Sequence, residues 1–115
     1  MSTTMVADAH VIEFDELLDR CLGNLELMER AIEAFVAQFP AELDQVEDAL
    51  ARGCKTEAAA VAHRMKGSAS NISATALVTE IANLETASLR SSGDCATQSC
   101  SRLRSEWERL LQAIG

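Results

Sequence analysis

Apolar residues at Leu25, Met28, Ile32, Phe35, Phe39, Leu43, Val46 and Leu50 recur at spacings of three and four, the period of one face of an α-helix. Sustained over about seven turns, this stripe is too long for a strand and has to be covered by helices of comparable length. Asn24 is placed to cap its start and Gly53 to end it. Pro40 falls inside the pattern, where it removes one amide hydrogen bond and crowds the preceding turn, so a bend near Ala37 is expected.

Partners for that stripe follow along the chain. A third helix, from about Lys55 to Asn71, carries Ala58, Val61, Met65, Ala69 and Ile72 on one face. A fourth, with Ser73 as its expected cap, presents Leu77, Ile81, Leu84 and Ala87. After the Ser91-Ser92-Gly93 break, Asp94 is placed to cap a fifth helix with Cys100, Leu103, Trp107, Leu110 and Ile114 aligned. Ahead of the long helix, Phe14, Leu17, Leu18, Cys21 and Leu22 mark a short first helix ending near Gly23, with Asp15 able to cap. Residues 1–11 lack periodicity and read as a flexible lead-in, leaving 12–115 as one domain. The expected fold is all-α: an antiparallel up-down-up-down four-helix bundle with an additional short N-terminal helix across one end.

Composition agrees, since 48% of residues are hydrophobic and only 3% aromatic, with one Pro and no Tyr, a balance that favours Leu- and Ala-rich helices over sheets. The net charge of −8 is unevenly spread. Residues 1–51 hold twelve acids against two bases, whereas residues 52–66 hold four bases against one acid. An acidic chain repels nucleic acid and anionic lipid, whose binding draws on Lys and Arg. The basic island therefore serves something local. The four cysteines, Cys21, Cys54, Cys95 and Cys100, form no CxxC, and their spacing argues against zinc. Cys21 and Cys100 fall on apolar stripes and are expected to be small core residues. Neither a signal peptide nor a membrane span is evident, and a cytoplasmic location with reduced thiols is expected.

One histidine stands apart. With about 100° per residue and His63 taken as zero, Val61, Met65 and Ile72 fall near 160°, 200° and 180°, so the imidazole points away from the core. Ala59, Lys66, Gly67 and Ser70 share its side of the helix. Lys66 can set an ammonium beside anything bonded to the ring, and Gly67 removes the side chain that would stand one turn above it. Glycine inside a helix costs about 1 kcal/mol relative to alanine, so access outweighs helicity here. The plain alternative is a solvated Lys and a tolerated Gly.

The stretch AHRMKGSASNISATAL, Ala62 to Leu77, resembles the signature of histidine phosphotransfer domains: an exposed His, an apolar residue, Lys, Gly, small residues and a turn ending in Leu. Met65, Lys66, Gly67, Ser68 and Leu77 match in register, and the Phe35/Phe39/Pro40 helix, the Gly53 turn and the Leu84-Glu85 pair are also similar. Ser73 stands where that family commonly has Gly, and Cys54 where a capping Asp is expected. The resemblance implies a phosphoryl carrier in a two-component phosphorelay. His63 would be the phosphoacceptor and Lys66 the stabiliser of phosphoryl charge, with Ala59, Arg64, Gly67 and Ser70 meeting the partner. Response-regulator receiver domains and a histidine kinase, hybrid or not, are the implied partners, and the carrier would be a monomer. No Walker-type or kinase glycine motif is present, so the resemblance assigns no cofactor, no metal and no ATP site. Two other readings stand beside it: the phosphoacceptor domain of a chemotaxis-type or hybrid histidine kinase, and a helical interaction module without phosphate.

Overall fold

The computed structural model describes residues 12–90 and, from residue 93, the backbone of a last helix to 114, with side chains from 95. The 1–11 lead-in with His10 and the Ser91-Ser92 pair lie outside those residues, whereas Gly93 and Asp94 already belong to the last helix, so Asp94 stands in its first turn rather than as the cap ahead of it. Five helices make up the described chain: α1 Phe14–Arg20, α2 Leu25–Ala51, α3 Lys55–Asn71, α4 Thr75–Leu89 and α5 Gly93–Ile114. None of them is long and apolar enough to cross a membrane. α3 packs against α2 on one side and α4 on the other, and α4 packs in turn against α5.

The stripes meet in one core. Phe39, Leu43 and Val46 of α2, Met65 of α3, Leu77, Ile81 and Leu84 of α4, and Leu103 and Leu110 of α5 are fully buried together. Each such side chain stabilises the fold by about 1.5–3 kcal/mol relative to exposure. Trp107 of α5 stacks on Phe39 with ring centres 4.2 Å apart and meets Phe35 edge-on at 6.0 Å, joining α5 to the middle of α2 through aromatic residues. On the surface, Arg104 of α5 forks onto the Glu47 carboxylate of α2. α2 runs unbroken through Pro40.

Three helix ends share one geometry. α2 stops at Arg52, after which Gly53 turns left-handed (φ +78°), Gly53 N–H donates to the Leu50 carbonyl at 3.1 Å and Cys54 N–H to the Ala49 carbonyl at 2.8 Å. That pair of bonds is the Schellman arrangement, and its left-handed position suits glycine. α3 ends identically at Ile72, with Ser73 bonding back to Ser70 and Ala74 to Ala69, but here a serine holds the left-handed position at φ +56°. α1 ends the same way at Cys21, with Leu22 left-handed at φ +58° and Gly23 following.

Several expected caps and core positions are corrected. Ser73 does not cap α4; its backbone is committed to ending α3, Ala74 takes the cap position, and no side chain fills that role. Asp15 lies inside the first turn of α1 behind Glu13. Asn24 does cap α2, accepting from Leu27 N–H at 3.1 Å. Leu22 and Leu25 leave their stripes for solvent, Leu22 because the left-handed turn swings it off the helix. Phe14 is also exposed, while Leu17 and Cys21 are buried as expected.

Candidate functional site

The start of α3 carries no side-chain cap, since Cys54 occupies that position. Arg52 compensates from the corner: its guanidinium holds Asp48 in the last turn of α2 and Glu57 in the first turn of α3, each at 2.9 Å. The helix so anchored buries Ala58, Val61, Met65 and Ala69 and turns His63 outward. The His63 side chain is 67% exposed.

A carboxylate from the neighbouring helix braces the ring. Glu85 of α4 reaches across the α3–α4 seam, its Oε2 lying 3.2 Å from His63 Nδ1 and its Oε1 3.0 Å from Lys66 Nζ. The hydrogen bond from Lys66, ahead of that from His63, holds the Glu85 carboxyl below its ordinary value of 4.5, against the opposing pull of partial burial. An ionised carboxylate only accepts. In that pairing His63 donates its Nδ1–H to Glu85, which leaves the lone pair of a neutral ring on Nε2. Orientation and tautomer are thus set by one residue.

Each expected site residue has a definite place. Lys66 lies near −60° on the wheel, toward α4, and is tied to Glu85 rather than standing free beside the ring. Gly67 is exposed, and a Cβ built there would meet nothing within 4 Å, so packing does not require glycine at that position. Arg64 points to the other flank, where it donates to Gln45 of α2 at 3.4 Å. Ser70 is exposed, and its carbonyl accepts from Arg20 of α1 at 3.1 Å. Ala59, expected on the open side, is buried instead. Its place near −40° leans toward α4, the helix that packs most extensively against α3.

Glu85 received no role in the sequence reading. The signal available was an acid directly after Leu84, one residue off a core stripe and on its α3 flank. Nothing in the spacing says which side chain of α3 it would reach. Among the described residues no three His, Cys, Asp or Glu side chains gather as a metal site would require.

A helical body presenting one uncrowded, carboxylate-braced imidazole on open surface has the form of a group carrier, to which a partner brings the rest of the chemistry. The Hpt domain family matches residues 30–113, and the chain belongs to that family. Its members serve histidine phosphotransfer in phosphorelays as carriers of the phosphoryl group. No curated protein and no solved structure matches the chain.

Proposed function

We propose that His63 is the phosphoacceptor of a cytoplasmic, monomeric carrier that takes a phosphoryl group from a receiver-domain aspartate and donates it to another, with response-regulator receivers and a histidine kinase, hybrid or not, as partners. The observation that carries this reading is the Glu85 brace on Nδ1 of an exposed ring, which leaves the Nε2 lone pair as the nucleophile. The reading takes the bundle as antiparallel and up-down-up-down, with the short corners at residues 52–54 and 72–74 folding α2, α3 and α4 back on one another.

The transfer balances without any proton leaving the ring. The Nε2 lone pair attacks phosphorus, an N–P bond forms, and the P–O bond to the receiver's carboxylate breaks, returning that aspartate as an anion. The ring keeps its Nδ1–H and becomes positively charged. Glu85, already accepting that N–H, offsets the new charge, while Lys66 has further N–H donors for the phosphoryl oxygens. Phosphoryl transfer depends mainly on such positioning and electrostatics. Arg64, Gly67 and Ser70 lie on the exposed face that a receiver would meet, and Ala59 supports that face from beneath.

Incubation with a phosphorylated receiver should place acid-labile, alkali-stable phosphate on the chain, and His63→Gln should abolish it with helicity intact. ATP alone should give no label. Phosphate accumulating on the His63→Gln protein would overturn the assignment, and labelling by ATP alone would favour a kinase.

A further inference from the structure

Among the described residues five large apolar side chains stand exposed: Phe14, Leu22, Leu25, Leu27 and Leu89. Four belong to α1, its turn and the first turn of α2. Leu89 is alone at the last turn of α4 and is 59% exposed.

Its position on α4 is informative. With Glu85 as zero, the buried residues Leu77, Ile81 and Leu84 fall between about −40° and −100°, and Glu80, which pairs with Arg102 of α5, lies further round that same side. Leu89 falls near +40°, on the opposite edge, where Glu85 crosses to His63 and Lys66. Four residues along a helix is about 6 Å. Leu89 therefore lies about one turn past the brace, toward the stretch of α3 that carries Ala59 and Lys55. By contrast Arg64 marks the His63 level on α2 at Gln45, and Leu27 lies about 27 Å along α2 from that point.

A specific interface covers about 800 Å² per partner, a disc of about 16 Å radius. Centred on His63, such a footprint takes in Leu89 and leaves out Leu25 and Leu27. It also takes in Lys55 and Lys66, cations suited to the carboxylate rim of a phosphorylation pocket. We propose that Leu89 is the apolar anchor on which a receiver domain docks, leaning over the α3–α4 seam with an apolar side chain of its own set against it. Its chain neighbours Ser88 and Arg90 line a cleft of about 520 Å³ together with Leu50, Ala51, Lys55 and Ala87.

The proposal rests on the reading of His63 as a phosphoacceptor for receivers, and the test separates the two. Wild type, Leu89→Ser and Leu27→Ser are compared as acceptors from a receiver domain phosphorylated by acetyl phosphate, and from phosphoramidate, a small donor that needs no docking. Leu89→Ser should lower receiver kcat/KM about tenfold, chiefly through KM, a loss of the size seen when an interface anchor is truncated. Its labelling by phosphoramidate should be unchanged, and Leu27→Ser should match wild type with both donors. Wild-type receiver kinetics in Leu89→Ser, an equal loss in Leu27→Ser, or a loss with both donors overturns the docking surface. A wild-type chain labelled by phosphoramidate but by no receiver removes the partner and the proposal with it. One labelled by neither donor refutes the functional reading itself.

Discussion

Ser73 holds the position that glycine holds in the equivalent turn at Gly53, and the fold is weaker for it. Two costs arise. The left-handed backbone disfavours a residue with a Cβ by about 1–2 kcal/mol. The hydroxyl adds to this, because Ser73 is only 3% exposed and its Oγ has no hydrogen-bond partner among the described residues, a loss of about 1–3 kcal/mol. Against these stand the added freedom of glycine in the unfolded chain, about 0.5–1 kcal/mol, and the lost packing of one methylene, about 0.8 kcal/mol. Ser73→Gly should therefore stabilise by about 1–2 kcal/mol, which for a domain of this size raises Tm by about 4–8 °C. Ser73→Ala, which removes the hydroxyl and keeps the Cβ, escapes both offsets and should gain a similar amount, about 1–2 kcal/mol. Thermal and urea melts read by Trp107 fluorescence suit the measurement, since the one tryptophan lies in the core on Phe39. A Tm unchanged or lowered in Ser73→Gly would refute the reasoning. A gain in glycine with none in alanine would keep the backbone argument and discard the hydroxyl.

The Glu85 brace should show in transfer kinetics and in acid. Lys66→Ala should slow phosphorylation and Glu85→Ala should slow it further, and a double-mutant cycle that gives no coupling would separate the two roles. Because the Glu85 carboxyl lies below its ordinary 4.5, its contribution to stability is present above that pH and is lost as acid titrates it in the fold, which carboxyl NMR shifts would follow. Burial, then the nearby charge of Glu47, pushes the Cys100 thiol up to about 11, with Arg104 opposing. Maleimide at pH 8 should thus label exposed Cys95 within minutes and leave Cys100 and Cys21 slow; rapid labelling of all three would contradict the packing. Gly67→Gln should fold normally, since a Cβ there meets nothing, yet block receiver transfer at any salt. Lys55→Ala should change chiefly the association rate, and mostly at low ionic strength, where screening lengths reach about 30 Å, and equal behaviour of the two variants would defeat that contrast.

Helical periodicity made the helices and nearly all their buried faces legible, because a stripe such as Ile32 to Val46 has one way of being covered. Gly53 was legible as a turn for a similar reason, since glycine at a helix end signals left-handed backbone. Leu22 and Ser73 take the same conformation without that signal, and the hydrogen bonds that hold them there belong to the turn as a whole. At the site, the outward direction of His63 and the emptiness above it at Gly67 followed from the wheel alone. Glu85 did not, because its role depends on the register between two helices. Ala59 was misjudged for the same reason: a wheel drawn for one helix cannot show where the next one leans.

The short α1 lies ahead of the matched stretch that begins at residue 30, yet it is bound into the histidine helix by its main chain. Glu13 N–H donates to the Ser73 carbonyl at 2.9 Å, Arg20 holds the carbonyl of Ser70, and Ile12, Leu17 and Cys21 enter the common core. The family match and the hydrogen-bonded body therefore have different borders. A fragment beginning at residue 30 would leave two carbonyls at the end of α3 to water and strip a layer from the core. The histidine's own scaffold would begin to fray from that end.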